Sequence, residues 1–153
     1  MKKIYNFRNS LSIMYILTVL VGCQTKNNSK MNSLDEIINK HFNAIKNRNI
    51  DNLLKTVNNE KITLILPNGN YSKSIDHYKK VNTDWFADQN WNIEYDIIDK
   101  IINKETGIIL AKIAYFDKDE DGKEYSFQYY LTLIFNLNKN KWELMFDQNT
   151  IIR

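Results

Sequence analysis

From Trp91 onward the apolar residues fall at every second position, and before it they fall at helical spacing. That one change of period confines the chain to a helical first half and a sheet-forming second half. Trp91, Ile93, Tyr95 and Ile97 alternate with Asn92, Glu94 and Asp96, as in a strand with one buried face. The parity then shifts, because Ile98 and Ile102 are apolar while Asp99 is not, and a β-bulge near Ile97-Ile98 accounts for it. Glu105-Thr106-Gly107 turns the chain, and Ile109, Ala111, Ile113 and Tyr115 line one face of the next strand. Asp121-Gly122 turns it again. Tyr125, Phe127, Tyr129, Leu131, Leu133, Phe135 and Leu137 then alternate with polar residues, and a last strand runs from Trp142 to about Ile151.

The first half opens on Ser33-Leu34-Asp35-Glu36, a capping box. Leu34, Ile37, Ile38, His41, Phe42 and Ile45 form a single stripe and predict a helix over 34–47. Asn49 caps a second, shorter helix carrying Ile50, Leu53, Leu54 and Val57. Ile62 to Leu66 reads as a short strand and Pro67-Asn68-Gly69 as a turn, Asn-Gly being a hairpin signal. Ser74 caps a third helix with Ile75, Tyr78, Val81, Trp85 and Phe86 on one side. Gly69, Gly107 and Gly122 all fall at turns, in agreement with the periods on either side. Helices gathered on one face of an antiparallel sheet make an α+β domain.

The segment before Ser33 does not belong to that domain. Lys2, Lys3 and Arg8 precede an uncharged, mostly apolar run from Leu11 to Val21, and Leu20-Val21-Gly22-Cys23 closes it. This is the plan of a secretory signal peptide. Its end resembles the lipobox of bacterial lipoproteins, in which the cysteine thiol is acylated, palmitate being one such chain, and the peptide is cut just before it. The apolar run is too short for a spanning helix, which needs about 20 residues. The expected organisation is a lipoprotein signal peptide at 1–22, a lipidated Cys23 with a polar tether to 32, and one domain over 33–153. Gln24 resembles the sorting signal that sends lipoproteins of Gram-negative bacteria to the outer membrane, so the expected place is the cell envelope, facing the periplasm.

Removing that leader changes the charge balance. The whole chain has 21 basic and 18 acidic residues. The leader carries three of the basic ones and no acid, so the remainder is formally neutral and has no surplus for binding nucleic acid. Cys23 is the chain's one cysteine, which excludes a disulfide and a catalytic thiol in the domain.

The element order resembles the nuclear transport factor 2-like superfamily, especially its SnoaL-like branch. The resemblance rests on Ala44-Ile45-Lys46-Asn47-Arg48-Asn49-Ile50-Asp51 after the first helix, on the third helix at 75–86, and on the closing strand Lys141-Trp142-Glu143-Leu144-Met145-Phe146-Asp147-Gln148-Asn149-Thr150. It implies a cone-shaped fold with three N-terminal helices on a curved, mostly antiparallel sheet. It does not name a chemistry, since isomerases, cyclases, dehydratases, transport factors and assembly domains share that fold.

Few residues suggest chemistry on their own. Asp117-Lys118-Asp119-Glu120-Asp121-Gly122 matches half of a calcium loop, but Gln128 stands where the bidentate Glu belongs, and it reads as an acidic hairpin tip. His77 falls on the polar side of its helix, and no histidine–cysteine set describes a metal site. In the resembled fold the first helix lies over the concave face of the sheet, which makes His41 a candidate ligand contact or base. Tyr95, Tyr115 and Tyr129 are placed to line an apolar pocket with polar tips. Parity along Trp142, Leu144 and Phe146 turns Asp147 away from that pocket and leaves Gln148 as its interior polar group.

The expected pocket residues are therefore His41, Tyr95, Tyr115, Tyr129 and Gln148, with no cofactor and no metal. Such a lining favours a flat or amphipathic organic ligand over a sugar phosphate. The expected partners are a membrane through the lipid, a small organic ligand, and a second copy of the chain through the sheet. A binding or accessory module stands first. The rival is an isomerase, cyclase or dehydratase using His41 or a buried acid for proton transfer.

Overall fold

The computed structural model describes residues 33–152. The expected signal peptide, the expected lipidation at Cys23 and the expected tether lie outside the described residues. Ser33 caps α1 (Leu34–Lys46), its hydroxyl accepting from the Glu36 amide at 3.2 Å. Asn49 caps the short α2 (Ile50–Leu54) in the same way, and Ser74 caps α3 (Ile75–Ala87). A small hairpin, β1 (Thr63–Ile65) and β2 (Tyr71–Ser72), lies between α2 and α3. Gly69 at its tip has φ +84°, which a side chain adopts at a cost. Four long strands follow: β3 (Asn92–Ile102), β4 (Thr106–Lys118), β5 (Glu124–Asn138) and β6 (Lys141–Ile151).

The six strands form one sheet in the order β2-β1-β6-β5-β4-β3. The β3 to β6 meander is antiparallel, whereas β1 pairs parallel to β6. The sheet is thus mixed, and the hairpin read from Asn-Gly extends it on the far side of β6. Helix α1 crosses one face. Its Leu34 sits on Gly107 of β4, where a β-carbon would collide with the leucine side chain. Its Phe42 stacks on Tyr95 of β3 at 4.0 Å between ring centroids. Ile37, Ile38, Phe42, Leu53, Ile109, Ile113, Leu133, Phe135 and Leu144 are at most 3% exposed and form the core between helices and sheet.

Two bulges re-aim side chains. The first lies between Ile97 and Asp99, at the expected place. The second leaves no mark on the apolar pattern of β6. Ile134 pairs with Phe146 but Phe135 pairs with Leu144, so Met145 has no partner and β6 changes parity there. Trp142 and Leu144 face the helices before the bulge, and Asp147 does so after it.

At the acidic tip, the Asp119 carboxylate accepts from the amides of Asp121 and Lys123 at 3.1 and 2.8 Å. Its role is to close the turn, and Gly122 at φ +77° completes it.

Candidate functional site

A cavity of about 240 Å³ opens between the inner face of the sheet, α1, α3 and the β1–β2 hairpin. Its walls follow from the alternation of the strands. Ile93, Ile113, Tyr115, Phe127, Tyr129 and Leu131 are inward residues of β3, β4 and β5. Helix α1 adds Phe42 and Ile45, one turn apart on the same side. Helix α3 adds Tyr78, Val81, Asn82 and Trp85, at the three- and four-residue spacing of one helix face. Leu64, Leu66 and Pro67 close the hairpin side.

The polar end of the cavity comes from β6. Asp147 and Asn149 line it, and Asp147 is 8% exposed. Asp147 lies opposite Leu133 on β5 and Leu64 on β1, both core residues. The Asn149 amide donates to its carboxylate at 3.1 Å and also to the Ile65 carbonyl at 3.1 Å. Burial pushes the Asp147 carboxyl up to about 7, and bonds from Asn149 and Tyr78 only partly oppose this. Burial, and then the neighbouring Asp147 charge, raise the Tyr78 and Tyr129 hydroxyls, so both remain protonated donors. Asn82 is committed through its amide to the Tyr78 carbonyl at 2.8 Å.

Tyr115 links the cavity to its outer edge. Its hydroxyl donates to Asp117 at 2.7 Å, and Tyr125 donates to the same oxygen at 3.1 Å. Burial pushes the Asp117 carboxyl up, but bonds from Tyr115, the Lys118 amide and Tyr125 outweigh it and hold it below its usual value. Nearby, Arg48 at φ +50° lies over the Trp91 ring at 4.1 Å and donates to the carbonyls of Asp88, Gln89 and Trp91. It ties the end of α1 to the chain leaving α3.

The sequence-expected residues separate into two groups. Tyr115 and Tyr129 line the cavity. Tyr95 stands behind Phe42, half-buried, with the Lys46 ammonium 5.6 Å from its ring centroid. Gln148 does not face the cavity. Its amide reaches Thr150 at 3.4 Å, and it pairs with Thr132 on the other side of the sheet. Strict parity interchanges it with Asp147, because the bulge at Met145 reverses every side chain beyond it.

His41 is fully buried but not in the cavity wall. It precedes Phe42 by about 100° around α1, and so meets Phe135 and Thr56 instead. The Thr56 hydroxyl donates to the Leu53 carbonyl at 2.6 Å, so it must accept from His41 Nδ1 at 2.8 Å. That fixes the tautomer and leaves Nε2 a buried acceptor without a partner. Burial lowers the imidazole to about 4, so the ring is neutral at physiological pH. A neutral ring held in the core has no access to a cavity ligand.

Among the described residues no cluster of histidine, cysteine, aspartate and glutamate is arranged to hold a metal ion. No helix among them is long and apolar enough to cross a membrane.

No family model matches the chain, and no curated protein matches it in sequence. Solved structures do match it. A ketosteroid isomerase-like protein from Erwinia carotovora atroseptica aligns at TM-score 0.68 and 11% identity, over 82% of this chain and 98% of its own. A nuclear transport factor 2-like superfamily protein from Salmonella enterica aligns at 0.64 and 8%, over 77% and 87%. The association domain of the C. elegans kinase CaMKII aligns at 0.57 and 12%, over 76% and 91%. At such identities the likeness concerns architecture, and residues 33–152 have the nuclear transport factor 2-like fold.

Proposed function

We propose that this chain is a lipid-anchored protein of the bacterial cell envelope whose cavity binds a small, largely apolar molecule through Asp147. The observation that carries the reading is a carboxyl group buried at the polar end of a mostly apolar cavity. A group so placed destabilises the fold when ionised, and such costs concentrate at functional sites. The volume lies below the roughly 300–1,000 Å³ of drug-sized pockets, which limits the ligand to one or two rings or a short chain.

Titration with toluene, followed by methyl NMR, tests the cavity. The methyl groups of Ile93, Ile113 and Leu131 line it and are expected to shift, while Ile98 and Ile101, both exposed at the far edge, stay in place. Saturable shifts confined to the first group support the reading. No shift, or an even spread, contradicts it.

The anchor is tested separately, in the native host. The motif at Leu20–Cys23 leads to the expectation that an alkyne fatty acid labels the wild type and that Cys23→Ser abolishes the label. An unlabelled wild-type chain retaining its leader contradicts it.

One observation favours a second reading, proton-transfer catalysis of isomerase or dehydratase type. Asp147 is a carboxylate poised near neutral pH beside two tyrosine hydroxyls that stay protonated. That set supplies a base for a carbon acid and donors for the oxygen that gains charge. The ketosteroid isomerase-like neighbour is compatible with it. Conversion of cyclohex-3-enone to its conjugated isomer is then expected to fall about 10²–10⁴-fold in Asp147→Asn. No acceleration by the wild type contradicts this reading.

A further inference from the structure

We propose that the cavity's ligand is a small organic cation, a protonated amine whose nitrogen meets the Asp147 carboxylate and whose hydrocarbon body lies against the aromatic wall. The inference rests on the reading of the cavity as a small-molecule site and names the class of molecule.

Two features of the wall lead there. Asp147 is the one carboxylate in the lining, and no lysine, arginine or histidine lines the cavity with it. Its hydrogen-bond partner Asn149 and the Tyr78 hydroxyl beside it in the lining are neutral. A buried charge without a counter-charge is costly, and a ligand that brings the opposite charge removes that cost. A neutral ligand leaves the carboxyl unpaired, and an anion adds repulsion.

Second, six aromatic side chains line the same space: Phe42, Tyr78, Trp85, Tyr115, Phe127 and Tyr129. Aromatic faces attract cations electrostatically, most strongly where water is excluded. The same run of rings already seats one cation. Trp85 stacks on Trp91 at 4.3 Å, and Trp91 carries Arg48 on its face. Arg48 is bound to three carbonyls and does not line the cavity, so it offers Asp147 no charge.

Isothermal calorimetry on the full chain in lipid nanodiscs tests the inference with two probes of equal shape, benzylamine and benzyl alcohol. At pH 8 benzylamine is expected to bind at least tenfold more tightly than benzyl alcohol. At pH 5 benzylamine is still charged but Asp147 is protonated, and its advantage is expected to vanish. Asp147→Asn is expected to remove the advantage at pH 8, and a methyl NMR spectrum matching the wild type shows that the variant is folded. Equal binding of the two probes at pH 8, or unchanged benzylamine affinity in Asp147→Asn, overturns the cation inference and leaves the cavity reading standing. If neither probe binds the wild type, both are overturned.

Discussion

Asp147→Asn is expected to make the protein more stable above pH 7, by about 4 kcal/mol, and to leave it nearly unchanged at pH 3. The carboxyl keeps its proton up to about pH 7 in the folded state, whereas in the unfolded chain it loses it near 3.8. Between these values the folded state binds more protons than the unfolded one, so stability falls as pH rises. The contribution of the protonated acid is complete below pH 3.8 and gone above pH 7. Asparagine keeps the shape and an acceptor for the Asn149 amide, but it cannot ionise. Urea unfolding of both proteins from pH 3 to pH 8 checks this, and curves that stay parallel throughout contradict it. A residue whose removal stabilises the fold this much is one retained for another purpose.

The second large effect has the opposite sign and belongs to His41. Its imidazole titrates near 4 in the folded state and near 6.5 when unfolded. Here the unfolded chain binds the extra proton, so stability is lost as pH falls from 6.5 to 4, by about 3 kcal/mol. In the wild type this loss overlaps the gain from Asp147, and the stability curve between pH 4 and 6.5 is expected to be nearly level. In the Asp147→Asn background the His41 slope stands alone. Adding His41→Leu, which also removes the unpartnered Nε2, is expected to flatten it. A double variant that still loses stability on acidification over this range contradicts the assignment to His41.

Much of the fold is legible in the chain because local and long-range signals coincide. Ser33, Asn49 and Ser74 stand at helix starts, and each accepts the amide expected of a cap. The bulge at Ile97–Asp99 announces itself as a polar residue at an apolar position. The bulge at Met145 announces nothing, because Trp142, Leu144 and Phe146 alternate as if β6 were unbroken. Both residues at the break are apolar, so the pattern is silent where the parity changes. That silence is what hid Asp147 and put Gln148 in its place.

The parallel pairing of β1 with β6 was hidden for another reason. It joins Thr63–Ile65 to Phe146–Gln148 across most of the domain, and no local turn signal encodes such a contact. Tyr115 and Tyr129 were legible because their strands keep strict alternation up to the cavity. His41 shows the limit of a helical stripe. The stripe identifies what is buried, but Phe42 and His41 are both buried and only Phe42 faces the cavity.

Whether Asp147 is the buried acid of an open cavity can be read directly from its carboxyl carbon. Selective ¹³C labelling and NMR titration from pH 3 to pH 9 follow that one group. The structure predicts a midpoint near pH 7 that moves when benzylamine or toluene enters the cavity. A midpoint near 4, the ordinary value for aspartate, indifferent to either molecule, would contradict the account.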